Sequence, residues 1–427
     1  MDAERQTESR HPVSAQAFHV MAKPSGPECN LDCQYCFYLE KEALFPAQKS
    51  RRMSPETLEA YVRNYIGSHP TGQPVAFAWQ GGEPTLLGLD FYQRAVALQR
   101  HYAQGRRIQN AFQTNGTLLD DAWCAFFAEN GFLVGLSLDG PAPIHDRYRV
   151  NRSGAPTHSK VMRALATLQR HDVDFNVLAC VNNLSSRSPL EVYRFFRDHG
   201  VKVVQFIPIV ERSSATEDQR QGFALEGPSG KKGDSAATSL PVTDWSVEPA
   251  RWGTFLTTIF DEWITTDVGS MFIMNFEWSL AAFMNRPGVI CVHQENCGRA
   301  VITEYNGDVY SCDHFVYPDY RLGNLLETGL AEMLDSDQQK NFGSEKSHTL
   351  PEQCRRCEYR RGCWGGCPKH RFTKTKSGES GLNYLCDGYF HYLRHITPSL
   401  RALSDLITAN CPPSDIMDRT VRIIDKS

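Results

Sequence analysis

The 427-residue sequence lacks any run of about 18 consecutive apolar residues, the length that a membrane-spanning helix needs. Its first residues also lack the apolar core of a signal peptide. Neither sign of charge dominates, because 49 acidic and 45 basic residues leave a formal net charge of only -4. We therefore expect a cytoplasmic protein with no membrane partner and no nucleic-acid partner.

Cysteine, in contrast, is abundant, with 14 residues. Disulfides are rare in the reducing cytoplasm. Many of these cysteines stand at the short spacings that are typical of metal ligands. The pattern therefore indicates thiolates that bind iron or zinc.

Six short apolar segments alternate with predicted helices, which is the pattern of parallel strands joined by helices. The predicted strands are AFHVMAKP, PVAFAW, IQNAFQT, FLVGLSLDG, VDFNVLACV and VKVVQFIPIV. The first helix is expected to begin after Ser54, an N-cap residue followed by Pro55. We expect an α/β fold, an incomplete parallel (β/α)6 barrel, with its chemistry at the C-terminal ends of the strands.

Composition divides the chain into a tail, a barrel, a linking segment, a cysteine-rich domain and a second tail. The predicted boundaries are a disordered tail at 1–15, the barrel at 16–245 with an exposed polar insertion near 212–243, a linking helical segment at 246–290, a separate metal-binding domain at 291–400, and a C-terminal helix and tail at 401–427. An Asn-Gly turn in AVITEYNGDVYSC predicts a hairpin in the cysteine-rich domain.

The first cysteine group, Cys29, Cys33 and Cys36, follows the first predicted strand and has no fourth cysteine or histidine nearby in the sequence. Three ligands leave one metal position open, as a catalytic metal requires, whereas a structural site is closed by four ligands. The alternative is a zinc knuckle or a set of buried free thiols.

Eight further cysteines lie between residues 291 and 386. They are Cys291, Cys297, Cys312, Cys354, Cys357, Cys363, Cys367 and Cys386. Eight thiolates suffice for two four-iron clusters, although two structural zinc sites would also use eight. The remaining Cys124, Cys180 and Cys411 are expected to be ordinary buried or incidental thiols.

The first cysteine group resembles the signature of the radical S-adenosylmethionine (SAM) superfamily. Tyr35 and Phe37 match the aromatic positions of that signature, and Gln80-Gly81-Gly82-Glu83-Pro84 resembles its GGEP loop. The resemblance implies that the three thiolates bind a [4Fe-4S] cluster whose fourth iron binds SAM.

The later cysteines resemble those of the SPASM domain, which binds two auxiliary clusters. The family arrangement implies one ligand set of Cys291, Cys297, Cys312 and Cys367, and a second set of Cys354, Cys357, Cys363 and Cys386. Three [4Fe-4S] clusters and SAM are therefore the expected cofactors.

From about residue 17 to 400 the chain resembles the anaerobic sulfatase-maturating enzymes. The segments that carry the resemblance are MAKPSGPECNLDCQYCFY, WQGGEPTLLGL, FQTNGTLLD, FLVGLSLDGPAPIH, QFIP, NGDVYSCDHFV, YRLGN, CWGGCPKHR and LNYLC. The resemblance implies a radical SAM oxidoreductase that oxidises a cysteine or serine of a sulfatase polypeptide to formylglycine. Its expected second partner is a reducing electron donor such as flavodoxin or ferredoxin.

The same resemblance implies roles for individual residues. Asp313, directly after Cys312, matches the catalytic aspartate that acts as a base, although its position alone would suggest a solvated turn residue. Glu277 is the reserve candidate. The residues expected to contact SAM are Tyr35, Gly82, Ser137, Arg149 and Val210, with Ser137 and Arg149 at the methionine carboxylate and Val210 at the adenine.

Two alternatives remain open. The first is another peptide-modifying radical SAM enzyme, one that forms thioether or carbon–carbon crosslinks. The second is a zinc-binding scaffold without catalytic activity. The polar insertion and the loosely matching residues around 275–290 leave the substrate open, and the sequence does not say whether the target residue is cysteine or serine.

Overall fold

The structure is a computed structural model that describes residues 13, 14, 16–45, 51–214, 225–227, 242–286 and 290–418. Most of the predicted N-terminal tail, most of the polar insertion and the end of the C-terminal tail lie outside the described residues. Within the described part of the chain, no helix combines the length and the apolar character needed to cross a membrane.

The predicted partial barrel is confirmed. Its six strands are β1 (His19–Lys23), β2 (Val75–Trp79), β3 (Ile108–Thr114), β4 (Phe132–Ser137), β5 (Phe175–Val181) and β6 (Val203–Pro208). They lie side by side in chain order, and each neighbouring pair is parallel. The carboxyl ends of all six strands therefore meet at one edge of the sheet.

Helices cover the outer face of this sheet. In the barrel they are α1 (Pro55–Ser68), α2 (Leu89–Tyr102), α3 (Asp121–Glu129), α4 (Ala142–Tyr148), α5 (His158–Arg170) and α6 (Pro189–Asp198). Helix α1 begins as predicted, with Pro55 first and the Ser54 side chain accepting a hydrogen bond from the Thr57 N–H. The short helix α4 was not predicted, because seven residues with two prolines nearby give no clear helical period.

The cysteine-rich region does not form its sheet separately from the barrel. Strands β8 (Ala300–Glu304) and β9 (Asp308–Tyr310) form the predicted hairpin, and β10 (Arg321–Asn324) pairs with β9. Strand β8 also pairs with β1 in parallel, with His19 opposite Ala300 and Lys23 opposite Glu304. The pairing satisfies backbone groups on two strands that would otherwise be open edges. At the other edge, β7 (Phe272–Ile273) pairs with β6.

The remaining elements surround the cysteines. They are α7 (Pro249–Thr266), α8 (Met274–Phe283), α9 (Leu330–Leu334), α10 (Asp337–His348), α11 (Glu352–Arg355), α12 (Arg360–Cys363), the hairpin β11 (Thr373–Lys374) and β12 (Ser380–Leu382), and α13 (Cys386–Thr408). Helix α13 begins at one of the predicted cluster ligands and packs along α7.

The crossing of α7 and α13 depends on two glycines. A Cβ atom at Gly388 would lie 2.2 Å from the Pro249 carbonyl oxygen, and one at Gly253 would lie 2.8 Å from the Gly388 carbonyl oxygen. Both distances are too short for real contacts, so the backbones approach as closely as they do only because neither residue has a side chain.

We predict that Gly388→Ala lowers the free energy of unfolding by about 1–3 kcal/mol, because the added methyl group forces α13 away from α7. Thermal unfolding monitored by circular dichroism measures this. Gly67→Ala in α1 is the matched control, since a Cβ there meets nothing within 4 Å. Equal melting temperatures for Gly388→Ala and the unsubstituted protein would contradict the packing described.

Candidate active site

The three cysteines of the first group lie together at the carboxyl end of the barrel strands. Burial, reinforced by the neighbouring Glu83 and Cys36, raises the pKa of Cys29 to about 12. Burial also raises the pKa of Cys33, a rise that Arg149 opposes and the thiols of Cys36 and Cys29 reinforce. Three buried thiols that disfavour each other's ionisation call for a cation, so they fit an iron cluster.

The GGEP loop lies directly against the loop of these cysteines. The Gly82 N–H donates to the Gly26 carbonyl oxygen and the Glu83 N–H to the Glu28 carbonyl oxygen, both at 2.8 Å. A Cβ atom at Gly82 would lie 2.0 Å from the Glu28 oxygen, so the contact requires glycine. The two loops can therefore line one compartment.

Glu83 is an internal anchor of the site. Its fully buried carboxylate accepts hydrogen bonds from Thr85 N and Oγ1, from Thr114 Oγ1 and from the Asn115 N–H. Asn115 in turn lies with its Nδ2 3.8 Å from the Cys29 Sγ. Glu83 thus fixes the GGEP loop to the end of β3 and supports the first cysteine group.

Asp139, which sequence analysis missed, organises two of the predicted SAM contacts. Its Oδ2 lies 3.1 Å from Arg149 Nε, and Tyr35 donates its hydroxyl proton to the same carboxylate. The other oxygen accepts from the Cys180 N–H at 3.0 Å. Asp139 is 1% exposed, so the charge of Arg149 is matched inside the site. Its place in SLDG, just after β4, was the available signal.

The other predicted SAM contacts flank this group. Ser137 is buried and is the last residue of β4, two residues before Asp139. Val210 is buried and follows β6. Cys180 was expected to be incidental, yet its Sγ lies 3.6 Å from an Arg149 Nη2.

Asp313 lies where the barrel meets the cysteine-rich region. Its Oδ1 is 2.6 Å from Lys23 Nζ at the end of β1. Lys23 also donates to Gln80 Oε1 at 3.4 Å, and Gln80 is the first residue of the GGEP loop. Burial alone would raise the pKa of Asp313, but Lys23, His314 and Lys369 together outweigh burial and hold the pKa below its ordinary value. The carboxylate is therefore ionised and can accept a proton.

Lys23 also lies close to Tyr38 and Glu304. It is 1% exposed and lies 4.0 Å from the centre of the Tyr38 ring. The Tyr38 hydroxyl donates to Glu304 Oε1 at 2.5 Å, and burial raises the pKa of Glu304 to about 7. Sequence analysis gave no role to Lys23.

The reserve candidate Glu277 lies on α8. Burial, and to a smaller extent the charge of Glu277, raise the pKa of Tyr392 on α13.

The eight later cysteines form two groups. Burial is the main cause that raises the pKa values of Cys297 and Cys312, and the thiols of Cys291 and Cys367 raise them further. Burial and the thiols of Cys363, Cys354 and Cys357 raise the pKa of Cys386 to about 12. The neighbouring thiols named in each case belong to one of the two ligand sets that the resemblance implies.

None of the three cysteine groups is arranged for a single ion. Among the described residues, no three histidine, cysteine, aspartate or glutamate side chains are placed to hold one metal ion. Each thiolate of a four-iron cluster binds a different iron, so its sulfur atoms need not converge on one point.

Two cations, the buried Lys346 and the half-buried Arg371, lie near the auxiliary cysteine sets. Lys346 Nζ donates to the carbonyl oxygens of Cys291 at 2.6 Å and Val292 at 2.9 Å, and also to that of Gln294. Arg371 donates to the carbonyl oxygens of Gly365 and Lys346 at 3.0 and 2.6 Å. Cysteines of both sets oppose the burial-driven fall in the pKa of Arg371. These cations can offset the negative charge of eight thiolates.

Comparison with known proteins gives a consistent result. The family model of the radical SAM superfamily matches residues 24–196, and that of the SPASM iron-sulfur cluster-binding domain matches residues 291–358. A serine-type anaerobic sulfatase-maturating enzyme of Bacteroides thetaiotaomicron is 45% identical over 94% of this chain and 95% of the relative. A cysteine-type enzyme of Clostridium perfringens is 32% identical over 89% of this chain and 96% of the relative.

Solved structures resemble the whole described architecture. The structure of native anSMEcpe with bound AdoMet and Cp18Cys peptide is 31% identical, covers 92% of this chain and 100% of its own, and has a TM-score of 0.78. The likeness extends through both the barrel and the cysteine-rich region.

We predict that Lys346→Met lowers the iron and sulfide content of the anaerobically reconstituted protein. Three carbonyl groups of the 291–294 turn lose their hydrogen-bond donor, and the turn that carries Cys291 then loses its conformation. Iron and sulfide analysis with electron paramagnetic resonance measures this. Lys340→Met, at an exposed lysine of the same helix, is the matched control. A full complement of iron in Lys346→Met would contradict the role given to Lys346.

Proposed function

The chain belongs to the family of anaerobic sulfatase-maturating enzymes, and we propose that it oxidises a serine of a sulfatase polypeptide to formylglycine. It is a radical SAM oxidoreductase, and the family reaction converts a cysteine or serine of a sulfatase to this aldehyde residue. Serine is proposed because the serine-type relative is 45% identical, whereas the cysteine-type relative is 32% identical.

The cofactors are SAM and three [4Fe-4S] clusters, and we propose their ligands residue by residue. Cys29, Cys33 and Cys36 would hold the cluster that binds SAM. The two auxiliary clusters would be held by Cys291, Cys297, Cys312 and Cys367 and by Cys354, Cys357, Cys363 and Cys386. When bound, the first cluster and SAM supply a carbon radical, made by one-electron reduction of the sulfonium, that removes a hydrogen atom from the substrate Cβ.

The binding of SAM is proposed to involve Tyr35, Gly82, Ser137, Arg149 and Val210. Asp139 supports this by holding Arg149 and Tyr35 in place from within the protein. Because Asp139 pairs with Arg149 on its Nε side and Cys180 Sγ lies near Nη2, Nη1 of Arg149 remains for the methionine carboxylate. Asp139 is thus a positioning residue rather than a ligand.

Asp313 is the proposed general base. The single observation that carries this assignment is the contact of its carboxylate with Lys23, which keeps Asp313 ionised and joins it to the GGEP loop through Gln80. Taking the proton from the serine hydroxyl makes the substrate radical easier to oxidise. The aldehyde then forms as the substrate gives up one electron, which the auxiliary clusters would accept when bound.

We also propose the state of the substrate, the electron donor and the cellular compartment. The substrate is a sulfatase segment that is unfolded or still being synthesised, since its target residue must enter the site. The electrons would come from a small carrier such as flavodoxin or ferredoxin, and the compartment would be the cytoplasm. A crosslinking enzyme is the second candidate, because it would share both the radical SAM and the SPASM regions.

We predict that the anaerobically reconstituted enzyme, given SAM and dithionite, converts a synthetic sulfatase peptide with serine at the target position into the aldehyde. Mass spectrometry detects the loss of two hydrogen atoms. The same peptide with cysteine at the target position tests the residue preference, and conversion of that peptide alone would contradict the serine proposal. Cleavage of SAM with both peptides unchanged would favour the crosslinking candidate.

In the same assay, Asp313→Asn should lower aldehyde formation by about 10²- to 10⁴-fold, the usual contribution of a general base. Cleavage of SAM should continue, because the first cysteine group is unchanged. Asp319→Asn, an exposed acid in the same segment, is the control. Normal aldehyde formation by Asp313→Asn would remove Asp313 from the mechanism.

A further inference from the structure

An exposed patch of aromatic and arginine side chains lies beside the second auxiliary cysteine set. The rings of Tyr359 and Phe390 meet edge to face, with centroids 5.3 Å apart. Phe390 is 41% exposed, and in the described part of the chain only Phe272, at 42%, is a comparably exposed phenylalanine. The patch, called here the arginine–aromatic patch, comprises Tyr359, Arg360, Arg361, Phe390 and Arg394.

The members of the patch carry three positive charges, with the exposed Glu358 beside Tyr359, on a chain whose formal net charge is -4. Residues 352–361 contain four arginines and two glutamates. Glu352 pairs with Arg355 at 2.8 Å and Arg356 at 2.5 Å. Within the described residues, the three arginines of the patch form no ion pair, so their charge remains available to an outside partner.

The patch arginines have different neighbours. Arg361 donates to Asn285 Oδ1 at 2.5 Å. The guanidinium of Arg360 lies 5.3 Å from the centre of the Trp364 ring. Arg394 is one helical turn after Phe390 on α13, and its charge opposes the rise in the Tyr359 pKa that burial and Glu358 cause. The patch is thus built from α12, α13 and the segment between Cys357 and α12.

The same elements carry the second auxiliary cysteine set. Cys357 stands two residues before Tyr359, and its thiol adds to the rise in the Tyr359 pKa that burial causes. Cys386 begins α13, one turn before Phe390. Both cysteines are partly exposed. A protein docked on the patch would therefore lie next to the thiolates proposed to hold a cluster.

We propose that the arginine–aromatic patch is the docking surface for a small acidic protein that carries one electron at a time, of the flavodoxin kind. Aromatic and arginine side chains are enriched at interface centres. Opposite charges accelerate brief encounters of this type, whose contact areas are small. The proposal rests on the proposed function, which requires an electron carrier.

The exchange balances in atoms and electrons. When the substrate becomes the aldehyde it gives up one hydrogen atom to the radical, one proton and one further electron. The proton goes to Asp313. The oxidised carrier docked on the patch gains the electron and leaves in its reduced form.

Binding is measured with the anaerobically reconstituted enzyme and purified oxidised flavodoxin as the probe, by isothermal titration calorimetry at low and high salt. The unsubstituted enzyme should bind, and added salt should weaken the complex because it screens the charges. Phe390→Ser and the double variant Arg361→Glu with Arg394→Glu should each raise the dissociation constant by about tenfold or more.

The chain offers matched controls for both changes. Phe272→Ser alters an equally exposed phenylalanine on β7, and Arg163→Glu reverses the charge of an exposed arginine on α5. Both controls should bind flavodoxin as the unsubstituted enzyme does. Iron analysis of each variant checks that the clusters are present.

Peptide oxidation separates this proposal from the proposed function. With dithionite as the reductant and methyl viologen as a small electron carrier, neither of which needs a docking surface, the patch variants should form aldehyde at the unsubstituted rate. With flavodoxin as the only carrier they should be slower. No aldehyde from the unsubstituted enzyme with dithionite would refute the proposed function, while the titration still decides the docking surface. No binding by the unsubstituted enzyme, or equal binding by patch and control variants, would overturn the docking surface.

Discussion

The parallel pairing of β1 with β8 is the constraint on which the rest of the structure depends. It joins the cysteine-rich region to the barrel along five matched residue pairs, ending with Lys23 opposite Glu304. Eight residues beyond the end of β8 the chain reaches Cys312 and Asp313. The proposed base Asp313 contacts Lys23 at the end of β1, and β1 also leads into the first cysteine group.

Buried charge is the second recurring feature. Lys23, Glu304, Asp139 and Lys346 are each 1% exposed or less. Removing an ion from water costs several kcal/mol unless a partner compensates. Here Lys23 has Asp313, Asp139 has Arg149, and Lys346 has three carbonyl groups. These charges lie at the first cysteine group and at the first auxiliary set, so the cost falls where side chains must be held in one position.

The fold could be predicted from the sequence where the signal is local. The six barrel strands are short apolar runs, and Ser54 with Pro55 marks the start of α1. The addition of β8 to the barrel sheet could not be predicted, because strand pairing between residues 19 and 300 leaves no local pattern. Lys23 and Asp139 were missed for a related reason, since a lysine in a strand or an aspartate in a turn shows no partner until the chain is folded.

The most direct test of the account is the fate of a Cβ-deuterated serine peptide in a Lys23→Met variant. Deuterium transfer to 5′-deoxyadenosine reports hydrogen abstraction, and aldehyde mass reports completion. We predict that deuterium transfer persists while aldehyde falls by about 10²-fold or more, and that Lys23→Arg partly restores it, because Asp313 needs a cation to stay ionised in place. Undiminished aldehyde formation by Lys23→Met would contradict the account.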